Sequence, residues 1–126
     1  MSALLATMPF AEEIGIELRS ATADEAVGML AWAPERCTAG GLLHGGALMT
    51  LADSVGAVCA FLNLPPGAGT ATTSSSTNLF RAVRSGTVTA TARPLHRGRS
   101  LIVVQTDLTD DEGAAHRAGD AVPGDR

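Results

Sequence analysis

Residues 45–62 carry the clearest hydrophobic pattern in the chain. Leu48, Leu51, Ala52, Val55, Cys59 and Leu62 recur at helical spacing and make one apolar face. The stretch "NLPPGAG" then stops the helix, because Pro65 and Pro66 cannot continue it. Later in the chain the period falls to two. "GTVTATARPLH" sets Val88, Ala90 and Ala92 against Thr87, Thr89 and Thr91, and "SLIVVQTDLT" is β-branched and apolar after a turn at "RGR". Pro94 marks an edge, a bulge or the end of regular pairing. "IELRSATA" and "EAVGMLAWA" read as two strands joined near Ala23–Asp24, and "TATTSSSTNLF" reads as a further strand by its Thr and Ser content. Residues 3–13 read as a short helix ended near Gly15, and "PERCTAGGLL" as a loop. One long helix and about five mostly sequential strands predict an α+β fold, an antiparallel sheet packed on the helix.

At 126 residues the chain suits one domain, 1–126, and 45% hydrophobic residues give it a core to bury. Aromatic residues are few, namely Phe10, Phe61, Phe80 and Trp32, so Val, Leu, Ile and Ala must fill that core. The tail from residue 113 has little β-branched content and predicts a poor strand or a frayed end.

The net charge of −4 argues against a general nucleic-acid binder. Its distribution changes the picture. Every basic residue is Arg, and between Asp53 and Asp107 lie Arg81, Arg84, Arg93, Arg97 and Arg99 with no acidic residue among them. That block is either a site for a small anion or a solvated face whose acidic partners come from elsewhere in the fold. Cys37 and Cys59 form no CxxC and no disulfide framework, which predicts a reduced, cytoplasmic setting. The opening "MSALLATMPFAEEIG" lacks a basic leader region, and no apolar run reaches the length of a membrane span. No membrane partner is expected.

Candidate chemistry concentrates in "GLLHGGALMTLAD", residues 41–53. A helix starting at Gly45 leaves first-turn N–H groups without partners inside the helix, and its dipole favours negative charge there. Such donors could form an oxyanion hole. On "HGG" alone, a tight loop-to-helix corner is the plainer reading. Asp53 sharpens the case, being the only acidic residue between Glu35 and Asp107 and lying two turns into an apolar helix. A carboxylate there is paired, solvent-facing or catalytic. Its pattern neighbours Thr50, Ser54 and Ala57 are small, which fits a crevice. Gly45 and Asp53 stand about 12 Å apart along one helix at about 1.5 Å per residue. Both cannot touch one reacting carbonyl, where contacts are about 3 Å. If they cooperate, Gly45 of one chain meets Asp53 of another, as a two-fold dimer allows.

Other chemistries fit less well. His44, His96 and His116 lack metal-ligand spacing, so no metal is expected. The chain has no GxSxG elbow and no P-loop, and Ser74–Ser76 have no identifiable base.

"LHGGALMTLADS" resembles the signature of hotdog-fold acyl-CoA thioesterases of the PaaI-like (phenylacetate-pathway) branch. The resemblance runs from "PFAEEIGIEL" through "LFRAV" and "GTVTATARPLHRGRSLIVVQTDLTD", most of the chain, and the nine-position step from His44 to Asp53 matches. It implies the hotdog fold, an antiparallel sheet wrapped around a long central helix, in dimers that often pair into tetramers. It implies hydrolysis of a small acyl-CoA to a carboxylic acid and free CoA, with CoA part of the substrate and no cofactor.

By that resemblance Asp53 matches the catalytic carboxylate, a base on water or a nucleophile. Gly45 matches the backbone donor to the thioester carbonyl, with His44 shaping the corner beside Gly46. "FRAVR" and "HRGRS" match segments lining the CoA channel, which makes Phe80, Arg81, Arg84, Arg97, Gly98, Arg99 and Ser100 candidate CoA contacts. Three departures stand out. Thr38 occupies the place six residues before His44 where many members carry Asn or Gln, Ala82 replaces the usual proline, and the last strand is poorly matched. The alternative is a non-catalytic hotdog protein that binds acyl-CoA or acts only in assembly. A hotdog dehydratase would favour a different Asp/His arrangement.

Overall fold

A computed structural model describes residues 2–79 and 81–111. Two short helices open the chain, α1 (Ser2–Ala6) and α2 (Pro9–Ile14). The sequence predicts one helix over 3–13, but Pro9 divides it. Proline disfavours helical backbone in the residue before it, and its fixed φ suits the first position of a new helix. Gly15 ends α2 in the left-handed region at φ 98°.

Strands β1 (Glu17–Ala21) and β2 (Ala26–Ala31) form the expected hairpin, its turn closed by Thr22 N–H donating to the Glu25 carbonyl at 2.9 Å. The loop that follows holds two 3-10 turns, Pro34–Arg36 and Ala39–Gly41, and leads into α3 (Gly45–Phe61). Strands β3 (Thr87–Arg97) and β4 (Ile102–Thr109) complete an antiparallel sheet of order β1-β2-β3-β4. Pro94 is a bulge, since the β3–β4 register shifts between Pro94 and His96. The tight turn after it needs Gly98, because a Cβ there would lie 2.7 Å from the Leu101 carbonyl oxygen.

The fifth strand expected over 70–80 does not form over its described part, 70–79. Almost every residue there is exposed. Thr favours strands by fitting a half-buried pleated surface, and this run has no apolar alternation to bury. The expected poor strand or frayed end beyond residue 112 lies outside the described residues.

Helix α3 lies across the sheet. Leu51, Val55 and Cys59 are fully buried against Leu30, Val88, Ala90, Ala92, Val104 and Thr106. Each large aliphatic side chain so buried contributes about 1.5–3 kcal/mol relative to exposure. Gly28 on β2 sets the approach, since a Cβ there would lie 2.6 Å from Val55 Cγ2. Burial pushes the Cys59 thiol pKa up, with the nearby Arg97 partly opposing. Among the described residues no helix is long and apolar enough to cross a membrane.

Candidate active site

The sheet covers one side of α3 and leaves the other open. Met49, Asp53 and Phe61 are exposed there, with Gly46, Thr50 and Ala57 half-buried between them. These positions recur every three or four residues, so they form a stripe along the helix. Three clefts follow it. The first, of about 620 Å³, includes His44, Gly46, Ala47, Thr50, Cys37, Glu35 and Phe10 in its lining. The second, of about 460 Å³, is lined by Met8, Phe10, Ala11, Met49, Thr50, Asp53, Ser54 and Ser75. The third lies beside Ala57 and Phe61. The first cleft thus lies at the helix N-terminus and the second beside the Asp53 carboxylate, with Phe10 and Thr50 in the walls of both.

The N-terminus of α3 is built from "LHGG". His44 is the N-cap, and its Nδ1 accepts from Gly46 N–H at 2.7 Å. The His44 carbonyl accepts from Ala47 N–H at 2.9 Å and Leu48 N–H at 3.2 Å. Gly45 N–H is thus the first-turn donor left without an acceptor among the described residues. A Cβ on Gly46 would crowd His44 Nδ1 at 3.0 Å, so glycine permits this cap. Midway along the stripe, Asp53 Oδ1 accepts a hydrogen bond from Thr72 Oγ1 at 3.0 Å. Asp53 is not ion-paired among the described residues. Because α3 is continuous from Gly45 to Phe61, Gly45 and Asp53 remain about 12 Å apart in one chain.

A carboxylate that can act as base or nucleophile, an unmet backbone donor and an apolar cleft are compatible with acyl transfer. The profile of the thioesterase superfamily matches residues 40–115, which span α3, β3 and β4. The chain belongs to the thioesterase superfamily. Membership makes it a thioester hydrolase by class, and its sheet and central helix are those of the hotdog fold.

An esterase-named protein of Mycobacterium tuberculosis is 32% identical over 108 residues, covering 83% of this chain and 77% of that protein. Its solved structure superposes with a TM-score of 0.79 at 30% identity, over 83% of this chain and 86% of that one. The 1,4-dihydroxy-2-naphthoyl-CoA hydrolase of Escherichia coli is 36% identical over 73 residues, 58% of this chain and 54% of that enzyme. The E. coli PaaI protein shares the fold at 22% identity, with a TM-score of 0.78 over 88% of this chain and 79% of that one.

The thioesterase's arginine block divides in two. Arg81 and Arg84 line a cleft with Asp110 and Asp111, near the helix N-terminus, where Leu43 N–H donates to the Val83 carbonyl at 2.8 Å. Arg97 is at the other end of α3, paired with Asp24 at 2.8 Å and donating to Asn63 Oδ1. Arg93 pairs with Glu25 at 2.6 Å. For Arg93 and Arg97 the acidic partners thus come from the β1–β2 hairpin. Gly98, Arg99 and Ser100 lie in the β3–β4 turn on the Arg97 side. The two groups flank a helix about 25 Å long, so one chain does not gather them.

Thr38 is exposed on the loop before α3, its N–H donating to the Leu42 carbonyl at 2.7 Å, and its neighbour Cys37 lines the first cleft instead. Phe80 lies outside the described residues. Sequence reasoning missed Phe10 and Thr72. Phe10 sits in a segment read only as helix, and Thr72 in one read only as strand. Neither has a local signal, because each meets the site through the path of a distant segment.

Proposed function

We propose that this thioesterase hydrolyses a small acyl-CoA to a carboxylic acid and free CoA, with Asp53 and Gly45 as the reacting pair. The observation that carries the reading is the division of labour along α3. Gly45 N–H is a donor with no acceptor among the described residues, and the Asp53 carboxylate opens into an apolar cleft.

The thioester carbonyl oxygen accepts from Gly45 N–H and gains charge as its carbon is attacked. As a base, Asp53 takes a proton from water while the water oxygen bonds the carbonyl carbon. The C–S bond then breaks, and the CoA sulfur leaves as thiolate and is protonated. As a nucleophile, Asp53 forms the new C–O bond itself, and water cleaves the resulting anhydride. Both routes end in the same products.

Eight residues separate the pair on one rigid helix, so the working site is composite. Gly45 of one chain meets Asp53 of a second, in a homodimer or a homotetramer built from it. His44 holds Gly46 in the cap, which leaves the Gly45 amide for substrate. Arg81, Arg84 and Arg99 make no ion pair among the described residues and are the cations open to CoA phosphates. Arg97 joins them by exchanging Asp24 for phosphate. Gly98 and Ser100 shape the turn that presents Arg99. The relation to the E. coli naphthoyl-CoA hydrolase supports the acyl-CoA class, and the paucity of cysteine pairs supports a reducing, cytoplasmic setting.

The test is a panel of acetyl-, butyryl-, octanoyl- and benzoyl-CoA with a thiol-trapping reagent. The expected result is CoA release by the wild-type chain, reduced at least about 100-fold by Asp53→Asn. Absence of turnover across the panel, with acyl-CoA still bound, would favour the non-catalytic binding protein. Mixing Asp53→Ala chains with Gly45→Pro chains, which lack the donor N–H, should restore activity through hybrid sites. An active monomer at assay concentration would refute the composite site.

A further inference from the structure

The Thr/Ser-rich stretch 70–79 forms no strand, yet it follows the open face of α3. Thr70 lines the cleft beside Ala57 and Phe61, and Ser75 lines the one beside Met49 and Asp53. Between them Thr72 Oγ1 donates to Asp53 Oδ1 at 3.0 Å. Among the described residues this is the hydrogen bond that orients the Asp53 carboxylate.

We propose that Thr72 is a positioning residue for Asp53, holding Oδ1 so that Oδ2 is the oxygen that meets water or the thioester carbon. The inference rests on Asp53 being the reacting carboxylate. An aspartate χ2 is a broad, two-fold torsion, so an unheld carboxylate presents either oxygen over a range of angles. Rate depends steeply on reacting atoms lying about 3–3.5 Å apart and aligned. A hydroxyl fixes that torsion without neutralising the charge, as an Arg or Lys partner would. Threonine suits the role because its branched Cβ restricts χ1. The run of polar residues that is too polar to pack as a buried strand thus lines a carboxylate on the helix beside it.

The experiment compares Thr72→Val, which keeps the shape and removes the hydroxyl, with Thr72→Ser, which keeps the hydroxyl. Both are measured for kcat and KM with octanoyl-CoA and benzoyl-CoA, alone and together with Asp53→Asn. Thr72→Val should lower kcat about 10-fold with KM within about two-fold, since orientation of the reacting group is lost and substrate binding is not. Thr72→Ser should recover most of the loss. Added to Asp53→Asn, Thr72→Val should lower the residual turnover no further, because two residues acting as one unit are not additive. Wild-type kcat in Thr72→Val would overturn the proposal. So would a loss carried by KM, or an equal loss in the Asp53→Asn background, since either marks a structural wall. Wild-type turnover in Asp53→Asn alone would instead overturn the reading of Asp53. Thr72→Ser decides the matter if Thr72→Val does not fold, since a kcat close to wild type there with Thr72→Ala impaired supports the hydroxyl's role, and equal impairment overturns it.

Discussion

The two faces of α3 differ in what they ask of a side chain. On the sheet side Leu51, Val55 and Cys59 are sealed off from solvent. On the other side Met49 is 50% and Phe61 48% exposed, with Asp53 between them. A carboxylate on the sheet side would be desolvated without a partner and would cost several kcal/mol. On the open side it keeps its exposure to solvent and accepts from a threonine hydroxyl. One helix therefore supplies stability with one face and carries the candidate chemistry on the other, and changes to the two faces should separate stability from turnover.

The sharpest break in that comparison pairs Leu51→Ala with Asp53→Ala. Leu51→Ala should destabilise by about 2–5 kcal/mol, the range for emptying a packed leucine site, as read by urea denaturation. Asp53→Ala should leave the denaturation midpoint nearly unchanged while removing turnover. If Leu51→Ala instead lowered kcat of the folded fraction as much as Asp53→Ala does, the faces would not be independent.

Gly28→Ala tests the sheet face from the opposite element. Its new methyl would sit 2.6 Å from Val55 Cγ2, and overpacking of this kind costs about 1–3 kcal/mol. Combining it with Val55→Ala removes the colliding atom, so the double variant should be less destabilised than the sum of the two, again by denaturation midpoint. Strict additivity would place the strain elsewhere.

A smaller change is expected at Thr106, whose buried hydroxyl has no hydrogen-bond partner among the described residues. Thr106→Val keeps the shape and removes an unmet polar group, so stability should rise by up to about 1 kcal/mol. A loss in melting temperature would mean the hydroxyl is paired.

The smallest effect concerns Cys59. Burial raises its thiol pKa, so the folded chain holds that proton to higher pH than the unfolded chain does. The stabilisation is full below the unfolded thiol value, about 8.5, and is lost as pH rises through the folded value. Cys59→Ala should flatten the alkaline fall in stability relative to wild type, measured by denaturation between pH 8 and 10. An unchanged slope would show that other groups cause it.

The arginines repeat the lesson that position decides role. Arg93 and Arg97 find Glu25 and Asp24 across the sheet edge, although no acidic residue lies near them in sequence. Arg81 and Arg84, three residues apart, occupy the other end of α3. Composition recorded the charge and could not say which cations were already engaged.

The sequence by itself determined α3, the β1–β2 hairpin, the alternating β3 and β4, and the α+β class, because each rests on a local period that one face must bury. It also singled out Asp53 and the "HGG" corner, since an isolated carboxylate in an apolar helix stands out without a structure. Tertiary structure decided the rest. Pro9 split the first helix, the polar run 70–79 formed no strand, and Thr72 came within 3.0 Å of Asp53. Likewise only the folded cap shows His44 taking the Gly46 amide and leaving Gly45's. Those outcomes depend on where separate segments meet in space, and a period of two or of 3.6 residues carries no record of that.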